Sequence, residues 1–207
     1  MNKSLRKIIT TTFVTLDGVM QAPGGPEEDR TGGFAYGGWQ FPYWDEMAGN
    51  IMTKIMGLPF DLLLGKFTYD IFAAYWPHAK NDPIIAKKFN STRKYVVSHV
   101  SAELSWQNSS LITGEVVAQI KKLKEEDGPD LWVYGSGNLI QTLLENDLID
   151  RMLIWTHPVT VGNGKRLFAE GTQAAGFKLI DSKVSTTGVI IATYESAGAL
   201  KTGSFAT

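Results

Sequence analysis

The chain has 207 residues, 43% of them hydrophobic and 20% charged, with a formal net charge of −1. That length and composition suit one soluble globular domain, expected over 1–207 without internal repeat or linker. Cysteine is absent, which excludes disulfides, thiolate metal sites and a cysteine nucleophile and fits a reducing cytoplasm. No Lys/Arg tract marks a nucleic-acid footprint, and no run reaches the ~18 apolar residues of a membrane helix.

The opening "MNKSLRKIITTTFVTLDG" has basic residues but no apolar core, so it reads as a strand, Lys7 to Leu16, rather than a signal peptide. A long segment crowded with glycine, proline and aromatics follows. Loops of this length are usually functional or disordered, and disorder is poor in aromatics. Phe34, Tyr36, Trp39, Phe41, Tyr43 and Trp44 therefore mark a loop that covers a site or an aromatic cluster packed on the core. A helix is expected from about Asp45, with Met47, Ile51, Met52, Ile55 and Met56 on one face and Gly57 and Pro59 at its end.

"FDLLLG" reads as a buried strand and "KFTYDIFAAYW" as a helix stopped by Pro77. "KYVVSHV" is a strand, "GEVVAQIKKLKEED" a surface helix and "DLWVYG" a strand. Asn138 to Asn146 is a helix, and "RMLIWTHPVTV" a strand. "GFKLIDSKVST" and "GVIIATYES" form a hairpin about Thr187-Gly188, and the tail 197–207 is expected to fray. Strands alternating with helices predict an α/β fold: a mainly parallel sheet between helices, closed by an antiparallel hairpin.

Ligands of open parallel sheets sit beyond the carboxyl ends of the strands. Three turns occur there: Gly65-Lys66-Phe67-Thr68, Ser98-His99 and Gly135-Ser136-Gly137-Asn138. Helix N-termini offer unpaired N–H groups that suit phosphate, and glycine allows close approach. Gly135 to Ile140 lacks the third glycine of a Rossmann fingerprint, and Gly65-Lys66 lacks the glycine spacing of a P-loop. Each turn alone could be a plain connection. Three at one sheet edge point to an extended, phosphate-bearing ligand.

Asp45 and Glu46 either complement the helix dipole or place a general acid beside the aromatic loop. Asp17-Gly18 is either a turn or a polar anchor. The three histidines, His78, His99 and His157, have no metal spacing, so no metal is expected. His157 reads as structural, and Lys165-Arg166 could face an anion. No serine lies in a nucleophile elbow.

"TFVTLDGVM", "LLLGKFTYDIFAAYWP", "KYVVSH" and "LWVYGSGNLIQTLLENDLIDRMLIWTHPVTVGNGKRLF" together resemble the dihydrofolate-reductase-like superfamily. The variety they resemble is the reductase domain of bifunctional riboflavin-biosynthesis deaminase-reductases, as a stand-alone relative. The match covers roughly Lys7 to Ser196, and the segment from Trp132 to Phe168 is its most specific part. The resemblance implies a three-layer αβα fold, NADPH as cofactor and a homodimer. It puts the pyrophosphate at Gly65, Lys66, Thr68 and at Gly135, Ser136, Gly137, Asn138 and Leu139. It puts Ser98 and His99 near the adenosine, and Val14, Gly18, Val19 and Met20 beside the nicotinamide.

The implied reaction reduces a pyrimidine- or pterin-like heterocycle, as in 5-amino-6-(5-phosphoribosylamino)uracil reductase. The reading assigns Asp45 or Glu46 as proton donor, Trp39, Phe41 and Trp44 as stacking surface and Asp17 as anchor. A non-catalytic nucleotide-binding protein or a dihydrofolate reductase are the alternatives. Two features depart from the pattern. The Asp-Asp-Pro segment after the second helix is only partly echoed by Asp82-Pro83, and the zinc-binding deaminase domain is absent.

Overall fold

The computed structural model describes residues 5 to 205; the first four and last two, which belong to the expected domain and its tail, lie outside the described residues. The central strand β1 is Ile8–Thr15. Its β-branched residues favour the extended backbone, and their alternation sends Ile8 to one core and Ile9 to the other. The chain then runs through α1 (Glu46–Met56), β2 (Phe60–Gly65), α2 (Lys66–Tyr75), α3 (Pro83–Ser91), β3 (Lys94–Val97) and β4 (Ser109–Ile112). It continues through α4 (Val116–Glu125), β5 (Asp130–Tyr134), α5 (Gly137–Glu145), β6 (Arg151–His157), β7 (Phe177–Val184) and β8 (Ile190–Ser196).

The eight strands make one sheet in the order β4-β3-β2-β5-β1-β6-β8-β7. β1 pairs in parallel with β5 and β6, whereas β8 is antiparallel to both β6 and β7. Ile120, Leu123, Ile140 and Leu143 of α4 and α5 pack on one face with Ile8, Leu63 and Val133. Met52 and Ile55 of α1, Tyr69 of α2 and Phe89 of α3 pack on the other with Leu62, Leu64, Trp132 and Trp155. Burial on both sides is what makes β2 and β5 read as near-continuous apolar runs, while β1 buries three threonines between its apolar residues. The expected three-layer αβα architecture with a mostly parallel sheet and a closing antiparallel hairpin is what the chain adopts.

Two elements escape the sequence pattern. α3 begins with Pro83 in its first turn, where proline lacks only an N–H that would go unused, yet the residue reads as a breaker. β4 is a four-residue edge strand beginning Ser109-Ser110, too short and polar to announce itself. At the start of the tail, Ala197 donates to the Gly176 carbonyl at 2.8 Å and Gly176 to the Gly198 carbonyl at 2.7 Å.

One buried cation stands out. Lys94 is fully buried, donates to the Thr92 carbonyl at 2.8 Å and the Gln107 carbonyl at 3.1 Å, and lies 4.2 Å from the Trp106 ring centre. Burial pushes its ammonium down to about 8.

The hairpin of β7 and β8 is fastened to α1 through Asp45, which caps that helix. One Asp45 oxygen accepts from the Ala48 amide at 2.8 Å. The other accepts from the Thr186 amide at 2.8 Å and its hydroxyl at 2.7 Å. The Ala48 amide and the Thr186 donors hold this carboxyl below its usual value. A folded-state value below the unfolded one contributes stability above the unfolded value of about 3.9, lost as pH falls through the folded one. Asp45→Asn should therefore lower the melting temperature at neutral pH, and the gap from the parent should close on acidification below about pH 4. Thermal melts of both proteins across that range test this; a gap that does not depend on pH would refute it.

Candidate functional site

At the carboxyl edge of the sheet, the turn from β2 to α2 lies against the turn from β5 to α5. The two are joined by one side chain. The Ser136 hydroxyl accepts from the Gly65 amide at 2.9 Å and donates to the Tyr134 carbonyl at 3.2 Å. Because Ser136 turns back toward the strands, it does not cap its own helix, and Gly65 has no side chain with which to cap α2. The Gly137 amide donates to the Gly135 carbonyl at 3.0 Å, and the other first-turn N–H groups of the two helices have no side-chain cap at the positive ends of their dipoles. Gly135 has φ +62°, a conformation that favours glycine, and a Cβ there would lie 3.7 Å from Thr68 Cγ2. Thr68 and Ser136 are buried, Gly137 is half-buried, and Gly135 and Asn138 are exposed. Leu139 is a core residue whose Cβ would lie 3.9 Å from a Cβ on Gly65.

The structure thus brings Gly65 to Thr68 and Gly135 to Leu139 together. Lys66 makes a two-oxygen ion pair with Asp70, both contacts at 2.8 Å, rather than projecting alone. Ser98 and His99 follow β3, the strand beside β2. The Ser98 hydroxyl accepts from the Val100 amide at 3.3 Å and shapes that turn, while His99 is exposed.

β1 leaves the sheet beside the β5–α5 turn. Val14, Val19 and Met20 are buried, and a Cβ on Gly137 would lie 3.2 Å from Met20 Sδ, so Met20 closes over the start of α5. Asp17 was expected as a substrate anchor; the structure uses it to hold two loops together. It accepts from the Thr15 hydroxyl at 2.5 Å, the Gly162 amide at 2.8 Å and the Val161 amide at 3.3 Å. The Thr15 hydroxyl leads these donors in holding its carboxyl low against the cost of desolvation. Gly18, at φ +79°, makes the turn, and the Leu167 amide donates to its carbonyl at 3.0 Å. Gly164, at φ +139°, fits where a Cβ would come within 2.6 Å of Val19 Cγ1 and 3.1 Å of Phe34 Cε2. The glycines of "VGNGKRLF" therefore seal the 159–167 loop against the exit of β1.

The aromatic loop divides between the two readings of it. Trp39 is buried with Val19, Ala22 and Phe34, donates its indole N–H to the Gln21 carbonyl at 2.8 Å, and meets the His157 ring edge-on at 5.1 Å. That makes it a satellite core rather than an open stacking surface. Phe41 is 79% exposed and Trp44 39% exposed. Trp44 stacks on Trp155 with ring centres 6.0 Å apart. The loop is pinned by Lys165, whose ammonium lies 2.6 Å from Asp29 and 4.4 Å from the Phe67 ring centre. Burial raises the Asp29 carboxyl, but Lys165 and the Thr31 donors more than offset it. Arg166 donates to the Gly162 carbonyl at 2.8 Å, so both cations of the pair are committed to the protein.

The exposed side of Trp44 lines a groove of about 220 Å³ between α1 and the start of α3. Gly49, Met52, Thr53 and Met56 form one wall and Asn81 to Ile85 the other. Asp82-Pro83, the partial echo in the sequence, thus contributes to a cavity. The rest of that wall could not be read without α3. A larger hollow, about 360 Å³, lies by Arg93, Asn108 and Ser109 at the amino ends of β3 and β4, away from the glycine turns.

Asp45, expected as a proton donor, has both oxygens engaged by the helix start and the hairpin, and the donors that hold it ionised oppose that role. Glu46 is exposed on the first turn of α1, next to Trp44. Beneath α1, Trp155 Nε1 is buried without a hydrogen-bond partner among the described residues. The Tyr134 hydroxyl is buried nearby on the same face of the sheet; burial pushes that phenol up, with the Thr11 hydroxyl opposing. Among the described residues no helix is long and apolar enough to cross a membrane.

The chain is similar to known proteins in sequence and in fold. The Bacillus subtilis (strain 168) protein YyaP, described as uncharacterized, is 28% identical over 202 residues, covering 95% of this chain and 98% of YyaP. A putative riboflavin biosynthesis protein from Shewanella sp. PV-4 has a similar structure, with TM-score 0.69, 23% identity and coverage of 92% of this chain and 98% of that one. Dihydrofolate reductase from Enterococcus faecalis, solved with NADP(H), superposes with TM-score 0.58 at 11% identity, covering 92% and 96% of the two chains. A family model described as the RibD C-terminal domain matches residues 6–191, and the chain belongs to that family.

Proposed function

We propose that the protein is an NADPH-dependent reductase of a pyrimidine- or pterin-like heterocycle, nearest to the 5-amino-6-(5-phosphoribosylamino)uracil reductase of riboflavin biosynthesis. The observation that carries this reading is the pair of uncapped helix N-termini joined through Ser136, which suits a pyrophosphate. The residues present fit such a group: Gly65 and the left-handed Gly135 leave the backbone bare where phosphate oxygens would meet N–H groups.

When bound, NADPH supplies a hydride. The chain supplies binding, orientation and a proton. In this reading Thr68 and the amides of α2 and α5 hold the phosphates, with Ser98 and His99 toward the adenosine. Val14, Gly18, Val19 and Met20 flank the ring that donates hydride. The groove beside Trp44 takes the heterocycle. With Asp45 engaged by its cap, Glu46 is the one of the two expected acids left to deliver a proton. The engagement of Asp45 also favours a second reading, a nucleotide-binding protein that keeps the fold without the reaction.

NADPH should raise the melting temperature by mass action, contributing about 2.7 kcal/mol at a hundredfold excess over its dissociation constant. No shift with NADPH or NADH would end the reductase reading, and a shift without oxidation at 340 nm across pterins, dihydrofolate and the phosphoribosylaminouracil would favour the second. Gly65 has φ −70° and ψ 149°, a capping conformation, so Gly65→Asp should supply the missing cap and keep the fold. Its carboxylate should oppose a phosphate at α2 and weaken NADPH binding by about tenfold or more. Unchanged affinity in a titration would move the phosphates elsewhere. On the best substrate, Glu46→Gln should lower kcat by about 100-fold, with KM nearly unchanged; full turnover would remove Glu46 from the reaction.

A further inference from the structure

Gly49 is the one glycine interior to an α-helix among the described residues. After proline, glycine is the least favourable residue at such a position, because it has the most backbone freedom to lose and adds no side-chain contact. The fold does not demand it here. Beyond its own helix, a Cβ at Gly49 would meet only Trp44 Nε1, at an ordinary contact distance of 3.7 Å, so alanine would fit. What lies beside it is the groove. Gly49, Met52, Thr53 and Met56 recur at spacings of three and four, which makes them one stripe of α1, and that stripe is a groove wall. The opposite wall carries Asn81 and the groove's one ionisable group, Asp82. Trp44 is braced against movement: it stacks on Trp155 with the rings 6° from parallel and packs on Phe13 with ring centres 6.3 Å apart. An atom added at position 49 therefore occupies groove space instead of displacing the indole.

We propose that Gly49 is a specificity-determining residue: its missing side chain opens the slot, between the bare backbone of α1 and the Trp44 indole, that admits the flat ring of a pyrimidine- or pterin-like heterocycle. The inference rests on the groove being where the heterocycle binds, and it adds the residue that sets the width of that groove. A planar ring needs a clearance of about 3.5 Å, the contact distance of carbon atoms, so a single methyl group at position 49 is enough to obstruct one. The amino and N–H donors of the ring then face the acceptors of Asn81 and Asp82 on the other wall. A glycine that weakens its helix and is not required by packing is thus accounted for by what it leaves empty.

Stability and binding should move in opposite directions at this position. The full-length wild type, Gly49→Ala and Gly49→Leu are melted, and each is titrated by calorimetry with pterin, with 5-aminouracil and with NADPH. Gly49→Ala should raise the melting temperature by about 2 to 4 °C and weaken binding of the heterocycle by about tenfold, and Gly49→Leu should weaken it by about a hundredfold. The NADPH dissociation constant, set at the glycine turns, should stay within about twofold in both variants. A more stable Gly49→Ala that binds the heterocycle as the wild type does would overturn the proposal. So would a lower melting temperature, which would show that the fold needs the glycine, or a wild type that binds neither heterocycle. The expected pattern of binding without oxidation of NADPH at 340 nm would end the reductase reading and leave the slot at Gly49 standing.

Discussion

The Ser136 hydroxyl, accepting from the Gly65 amide and donating to the Tyr134 carbonyl, fixes the relation between two strand-to-helix turns that lie 71 positions apart in sequence. With the hydroxyl spent in this way, α5 has no side-chain cap, and the absence of a side chain at Gly65 leaves α2 uncapped as well. Two sets of open donors are the result, held side by side by a buried group that water does not reach. Such an edge needs little reorganisation to meet an extended anion. This is why the paired turns, more than either glycine motif alone, support a nucleotide cofactor for this RibD C-terminal domain protein.

Carboxylates show the opposite economy. Asp17, Asp29 and Asp45 could each have been a ligand contact, yet each binds protein donors: Asp17 the 159–167 loop, Asp29 Lys165, and Asp45 the hairpin tip. Long irregular segments leave many amides without partners, and carboxylates accept several at once. The segment from Asp17 to Asp45 is held at three such points and by the buried Trp39, and it leaves Trp44 and Glu46 exposed.

Much of the fold was legible because it depends on local pattern. Residue type and periodicity located every strand but β4 and four of the five helices, and the alternation of strands and helices implied the parallel sheet. α3 was hidden because its Pro83 is ambiguous from sequence: the same residue starts a helix or ends one. β4 was hidden because an edge strand owes its conformation to its neighbour rather than to its own residues. In the site, the glycine turns were legible, since their backbone requirement is written in residue type. The contacts of Asp17 and Trp39 were not, because they depend on tertiary structure: the Gly162 amide, 145 positions away, for Asp17, and the Gln21 carbonyl, 18 positions away, for Trp39. The groove walled by Asn81 to Ile85 was lost together with α3.

Gly164 has a reach beyond its own loop. It abuts Val19, and the next residue, Met20, rests against Gly137 at the start of α5. These contacts form a short mechanical chain from residue 164 to the donors of α5. A side chain added at 164 would displace Val19 before anything else could give, since Val19 is buried and Phe34 closes the other side. The displacement would then travel through Met20 to the amino end of the helix. A position with no functional group at all thus sets the clearance of the edge where a phosphate would bind.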